Sequence, residues 1–271
     1  MPELPEVETT RRGIAPHLLG ATIAALEIRQ PRLRWPVPTQ LPETLPGQVI
    51  RAVRRRGKYL LLGTDAGTLI LHLGMSGSLR LTPPDSPWRK HDHFALRLTT
   101  GLGLRYHDPR RFGCLLWTET APEQHPLLAA LGPEPLEPAF TGGYLHAHAR
   151  GRRMAVKSFL MDSRIVVGIG NIYANEALFR AGIAPNRPAG RISLRRYEHL
   201  AQAVRTVLAA SINQGGTTLR DFVDAAGNPG YFRQTLQVYG RAGEPCPVCG
   251  TGIRVQRLGQ RATYWCPQCQ R

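Results

Sequence analysis

The chain of 271 residues carries 35 Lys and Arg against 19 Asp and Glu, a net charge of +16, with an ordinary apolar fraction of 42%. That length exceeds the usual single domain and supports two or three units, each able to bury a core, which excludes a purely disordered chain. The positive surplus points to a polyanionic partner, because arginine and lysine gain affinity for DNA or RNA by releasing condensed counterions.

In chain order, the first helix signal is Pro5, followed by Glu6 and Glu8 in the first turn and Arg11 and Arg12 later, the order that the helix dipole favours. The helix is expected to end near Gly20. Eight short apolar or alternating runs follow, at 22–29, 49–55, 59–63, 68–73, 78–81, 94–98, 103–106 and 114–117. With Gly and Pro between them they predict a β-sandwich, and Cys114, inside the last run, reads as a small buried hydrophobe. Residues 132–138 contain three prolines, which fix φ and remove donors, so this stretch is neither regular helix nor central strand and reads as an interdomain linker. Apolar spacing near 3.6 then predicts helices over 152–162, 171–181 and 193–214. A loop with four glycines and a proline follows over 215–231. No stretch reaches the roughly 18 apolar residues that span a bilayer, and the start lacks the regions of a signal peptide. The expected location is therefore the cytoplasm, beside the nucleoid, with no membrane partner.

The C-terminus carries two Cys-x2-Cys pairs, Cys246 with Cys249 and Cys266 with Cys269, separated by sixteen residues. In a reducing compartment this spacing predicts one tetrahedral zinc, with strands over 254–258 and 261–265 and a turn at Gly259 and Gln260. Four thiolates leave no open coordination position, so the zinc is structural. Arg254, Arg257 and Arg261 then ride on the ribbon, where a short basic hairpin grips phosphate more readily than it reads bases.

At the other end, Met1 precedes Pro2, a small residue that permits removal of the initiator methionine and leaves a free proline amine. An α-amino group has a pKa of roughly 8, low enough for a usable unprotonated fraction near neutrality. As a secondary amine, proline condenses with a sugar aldehyde to a cationic iminium that acts as an electron sink. An idle Met-Pro start, with Glu3 and Glu6 as helix-end acids, fits the same residues.

Four segments taken together resemble the formamidopyrimidine-DNA glycosylase family: Met-Pro-Glu-Leu-Pro-Glu-Val-Glu-Thr at 1–9, His-Asp-Pro-Arg-Arg-Phe-Gly at 107–113, Gly-Ile-Gly-Asn-Ile-Tyr-Ala at 168–174, and the terminal ribbon. Leu4, with Val7 and Glu8, is similar to this family rather than to endonuclease VIII, which typically has Gly at the position of Leu4. The resemblance implies a monomeric enzyme acting on double-stranded DNA that contains oxidised purines. It would excise 8-oxoguanine and formamidopyrimidines, then cut the strand by β- and δ-elimination. The rival readings are a non-catalytic zinc-ribbon DNA-binding protein and a glycosylase for oxidised pyrimidines.

The implied fold is α+β. An N-terminal helix and β-sandwich occupy 1–132, a linker 133–150, a helix-two-turn-helix domain 151–236 with a lesion-capping loop at 216–231, and a four-cysteine zinc-ribbon hairpin 237–271. The implied catalytic residues are Pro2 as nucleophile, Glu3 as acid, Lys58 for β-elimination and Arg261 for δ-elimination. Met75, Arg110 and Phe112 would enter the duplex, with Arg110 on the orphaned cytosine. His72, His91, Arg110, Arg152, Asn171 and Tyr239 would contact DNA, although His93 beside His91 is a competing choice. Glu6, Lys157 and Glu176 would lie at the lesion pocket. Both termini would then serve one DNA groove.

Overall fold

The first helix, α1 (Leu4–Leu18), starts at the N-cap residue Glu3, whose backbone N–H donates to Glu6 Oε2 at 2.7 Å in a capping box. Pro5 falls in the first turn, where its missing N–H breaks no helical bond. Leu4, Val7, Ile14 and Leu18 recur at helical spacing and are wholly buried. Glu8 fastens the helix to the rest of its unit, pairing with Arg11 at 2.8 Å, Arg12 at 2.9 Å and Arg55 at 3.2 Å. Burial alone would raise the Glu8 carboxyl, but hydrogen bonds from Arg11 and Arg12 and the field of Arg55 hold it below the usual carboxylate range.

This computed structural model describes residues 2–83, 85–215 and 236–271, so the expected capping loop at 216–231 lies outside the described residues. Eight strands follow α1: β1 (Ile23–Ile28), β2 (Ala52–Arg56), β3 (Tyr59–Gly63), β4 (Thr68–His72), β5 (Ser78–Thr82), β6 (Asp92–Leu98), β7 (Gly103–His107) and β8 (Cys114–Thr118). A short helix, α2 (Leu41–Thr44), lies between β1 and β2, and another, α3 (Pro126–Ala129), follows β8. The strands form two antiparallel sheets, ordered β1-β6-β7-β5 and β2-β3-β4-β8. Leu60, Leu62, Leu69 and Leu71 of one sheet share a core with Phe94, Leu96, Leu104 and Tyr106 of the other and with Ile14 and Leu18 of α1. Each such side chain contributes about 1.5–3 kcal/mol on burial. Every expected run holds a strand, and the sandwich stands.

The chain divides into two compact units, one reaching Ala129 and one spanning Ala130–Asn213 with the C-terminal segment to Arg271. The second unit contains α4 (Gly142–Ala149), α5 (Val156–Leu160), α6 (Asn171–Arg180) and α7 (Leu194–Asn213). Helix α4 falls within the span read as linker. Thr141 Oγ1 caps it by accepting the Tyr144 N–H at 3.0 Å. Gly142 lies so close to α7 that a Cβ there would come within 2.4 Å of the Glu198 backbone. The helix expected over 152–162 contracts to α5, because Ala155 forms a β-bridge with Pro188 and the Val156 N–H donates to the Arg187 carbonyl. Among the described residues, no helix is long and apolar enough to cross a membrane.

The ribbon consists of β9 (Arg254–Leu258) and β10 (Arg261–Trp265), paired antiparallel. Gly259 and Gln260 both adopt positive φ, 53° and 64°, which fits the type I′ turn that suits a two-residue hairpin.

Candidate active terminus and nucleic-acid surface

In the first unit, Pro2, Glu3 and Glu6 are all buried at the head of α1. Lys58 sits in the two-residue turn between β2 and β3, where Arg56 pairs with Tyr59 and Gly57 has φ 57°. That turn is tied back to α1: Arg55, held by Glu8, donates from Nη1 to the Gly57 carbonyl at 2.9 Å. The chain Glu8, Arg55, Gly57 therefore fixes Lys58 relative to the helix that begins at Glu3.

His72, at the end of β4, packs tilted against Tyr59 with ring centroids 4.8 Å apart, and its Nδ1 accepts the Gly74 N–H at 2.9 Å. The acceptor role of Nδ1 leaves the proton on Nε2 in the neutral ring. Burial, then the cations Lys58 and Arg34, push His72 down to about 4, against the opposing pull of Asp108. His72 thus serves as a neutral N–H donor at working pH. A proton NMR titration of its ring is expected to be flat from about pH 5.5 upward, well above that folded value; a midpoint near the unperturbed value of about 6.5 would contradict this environment.

Met75 and Phe112 are 37% and 43% exposed on loops, outside both the strands and the core. Arg110 lies over the Phe112 ring at 4.7 Å. One wholly buried carboxylate, Asp108, organises both loops. Its Oδ1 accepts from Ser76 Oγ at 2.7 Å and the Arg110 N–H at 3.2 Å, while its Oδ2 accepts from the Gly113 N–H at 2.9 Å and Tyr106 OH at 3.0 Å. Gly74 and Gly113 allow the loops to touch, since a Cβ on Gly74 would meet the Gly113 nitrogen at 2.5 Å. His93 is a satisfied core residue whose Nε2 contacts the Asp108 carbonyl oxygen at 2.7 Å. His91 instead has φ 72° and a part-exposed ring. Cys114 is buried, and burial pushes its thiol up to about 12, which leaves it inert.

In the second unit, side chains from α5 and α6 hold the ribbon. Lys157 Nζ donates to the Ala262 carbonyl at 3.0 Å and Thr263 Oγ1 at 2.7 Å. Asn171 Nδ2 donates to the same Ala262 carbonyl at 3.0 Å, and Asn175 Oδ1 accepts the Tyr264 N–H at 2.8 Å. Arg261, one residue before Ala262, is exposed. The Glu176 carboxylate accepts the N–H groups of Gln237, Val238 and Tyr239 at 2.9, 3.0 and 2.8 Å, and the Tyr239 ring rests edge-on against Tyr264. Arg152 Nε donates to the His148 carbonyl at 2.7 Å and so covers the end of α4.

The four cysteine sulfurs lie within 4.8 Å of one another, with Cys246 to Cys269 at 3.8 Å and Cys249 to Cys266 at 3.5 Å. Zinc–sulfur bonds of about 2.3 Å give a tetrahedral edge of about 3.8 Å, whereas a disulfide is near 2.05 Å. The donor set fits one zinc.

The formamidopyrimidine-DNA glycosylase N-terminal profile matches residues 1–115, and the H2TH domain profile of the same enzyme matches 131–223. A zinc finger found in FPG and IleRS matches 243–271. The formamidopyrimidine-DNA glycosylase of Methylococcus capsulatus is 68% identical over 271 residues, covering 100% of both chains. The chain belongs to the formamidopyrimidine-DNA glycosylase family.

Solved structures of the family agree. The Thermus thermophilus MutM (Fpg) protein is 40% identical, with a TM-score of 0.89 over 99% of this chain and 98% of that one. The wild-type Lactococcus lactis Fpg, in complex with DNA containing N7-benzyl-Fapy-dG, is 34% identical with a TM-score of 0.91 over 100% of both. As a formamidopyrimidine-DNA glycosylase, the chain carries one structural zinc in its finger.

Sequence reading attached no role to Asp108, Arg55 or Arg34. Asp108 left one local signal: an Asp before Pro often bonds the backbone N–H two residues on, as it does here with Arg110. Asp108→Asn turns one acceptor oxygen into a donor facing donors. It is expected to cost about 3 kcal/mol in urea denaturation, and a loss below about 1 kcal/mol would deny Asp108 its organising role.

Proposed function

We propose that this chain is a bifunctional DNA repair glycosylase and abasic-site lyase, which removes 8-oxoguanine and formamidopyrimidines from duplex DNA. The observation that carries the reading is the buried Pro2–Glu3 pair at the head of α1 in a chain of this family. Loss of Met1 frees the Pro2 amine, whose lone pair attacks C1′ of the damaged nucleoside. The glycosidic bond breaks with its electrons passing to the base, and Glu3 supplies the proton for the leaving base or sugar oxygen.

Ring opening leaves a cationic iminium joining Pro2 nitrogen to C1′. Loss of a C2′ proton then expels the 3′ phosphate, with Lys58 held in its turn to assist, and a second elimination expels the 5′ phosphate beside Arg261. Before this chemistry the base must leave the helix, which costs roughly a few kcal/mol of unstacking. Phe112 wedges between bases, Met75 fills the vacated space and Arg110 bonds the orphaned cytosine. Lys157, Asn171 and Glu176 serve by fixing the ribbon and Tyr239, so that Arg261 and Tyr239 meet the phosphates; His72, His91 and Arg152 add backbone contacts. The zinc supplies no step and keeps the ribbon folded.

The protein acts as a monomer in the cytoplasm, on nucleoid DNA. The preference for purines is tested by single-turnover excision of 8-oxoguanine opposite cytosine against thymine glycol. The purine is expected to be removed at least about 10-fold faster, about 1.4 kcal/mol of differential transition-state binding. Equal or reversed rates would assign the chain the pyrimidine preference instead.

A further inference from the structure

Beside Phe112 lies an open cleft of about 610 Å³, lined by Arg32, Leu33, Arg34, Arg110, Arg111 and Phe112. One wall is a tight hairpin in which Arg32 and Pro36 form a bridge and the Leu33 N–H donates to the Trp35 carbonyl at 3.1 Å. Leu33, 5% exposed, anchors this hairpin in the core, and the Arg34 N–H donates to the Gly113 carbonyl at 3.1 Å. The hairpin is therefore bonded to the same loop that presents Arg110 and Phe112. Two of the guanidinium groups rest on aromatic faces, Arg34 over Trp35 at 4.8 Å and Arg110 over Phe112 at 4.7 Å. Stacking orients a guanidinium while leaving its N–H edge free to donate.

Among the described residues, none of the four arginines forms an ion pair with an acid, and no acid lines the cleft. Four like charges around one cleft repel one another, so the arrangement favours an anion that bridges them. The planar fork of arginine matches the oxygens of a phosphodiester. The positive field of Arg34 also reaches His72, Tyr59 and Cys114, so the cleft is electrostatically continuous with the Lys58 and His72 surface.

We infer that Arg32 and Arg34 form, together with Arg110 and Arg111, a seat for a backbone phosphodiester of the DNA strand opposite the lesion. The strand follows from Arg110: its side chain serves the orphaned base under the proposed function, on which this inference rests, and the seat shares its loop. The hairpin at 32–36 thus has two tasks, bracing the insertion loop through Gly113 and gripping the strand from which no base is removed.

The test is equilibrium binding of the full-length, zinc-loaded protein to a duplex with a tetrahydrofuran abasic analogue opposite cytosine, across a salt series. The double variant Arg32→Ala/Arg34→Ala is expected to lose about 10- to 100-fold in affinity, and its log–log salt slope should shrink by about 1. Arg34→Lys on the Arg32→Ala background should restore part of the slope, because the charge returns without the fork. Replacing single phosphates beside the orphaned cytosine by neutral methylphosphonates should weaken wild type at one position and weaken the double variant markedly less there.

An unchanged slope and affinity in a double variant that retains its circular dichroism and zinc would overturn the seat. So would coupling to methylphosphonates on the damaged strand alone. Wild-type protein that binds the lesion duplex no better than undamaged DNA would instead overturn the proposed function, and this inference with it.

Discussion

Glu3→Gln is expected to slow release of 8-oxoguanine by about 10²- to 10⁴-fold, the range that a positioned proton donor contributes. Cleavage of a duplex that already contains an abasic site should fall far less, because no base remains to be protonated and the open sugar aldehyde condenses directly with the Pro2 amine. The capping box at the start of α1 joins the Glu3 backbone N–H to the Glu6 carboxylate and the Glu6 backbone N–H to the Glu3 side chain, and the amide oxygen of Glu3→Gln can still accept that second bond, so the substitution spares the helix start. Single-turnover rates on the two duplexes separate the steps. An equal loss on both would make Glu3 a support for the helix and not the acid.

The other large effect concerns the ribbon. Its small core consists of Phe179, Val238, Ile253, Cys246 and Cys266, so two of its five members are zinc ligands. So thin a core depends on the metal, whose binding contributes about 10–16 kcal/mol in isolated zinc fingers at neutral pH. Cys249→Ser should therefore take zinc content from one per chain toward none and unfold β9 and β10. Lys157, Asn171 and Asn175 would lose the strand they clasp, and Arg261 its platform. Duplex affinity is expected to drop by on the order of 10²-fold, the scale set by losing several phosphate contacts. Full affinity in a zinc-free variant would show that the ribbon takes no part in binding.

The sequence made the periodic and the chemical features legible. Short apolar or alternating runs marked each sandwich strand, because residues such as Leu60, Leu62, Leu69 and Leu71 face one core. The Cys-x2-Cys spacing marked the ribbon down to its turn, because two short knuckles can meet one ion only by folding the intervening span into a hairpin. Helix α4 was hidden by its two glycines and weak periodicity; its stability comes from close approach to α7 at Gly142.

Positioning groups were hidden for a different reason. Asp108 joins Ser76 to Gly113, and Glu8 reaches Gly57 through Arg55. Such bonds link a side chain to distant backbone and leave no pattern along the chain. The same holds for Glu176, expected at the lesion pocket, whose oxygens accept the three amides at 237–239.

The central claim is that the Pro2 amine is the nucleophile. Its most direct test is borohydride reduction during reaction with a duplex containing 8-oxoguanine opposite cytosine, followed by mass spectrometry of the N-terminal peptide. A covalent protein–DNA adduct at Pro2, in a chain that has lost Met1, is the predicted result. Strand cleavage without any adduct, or an adduct at a lysine such as Lys58, would contradict it.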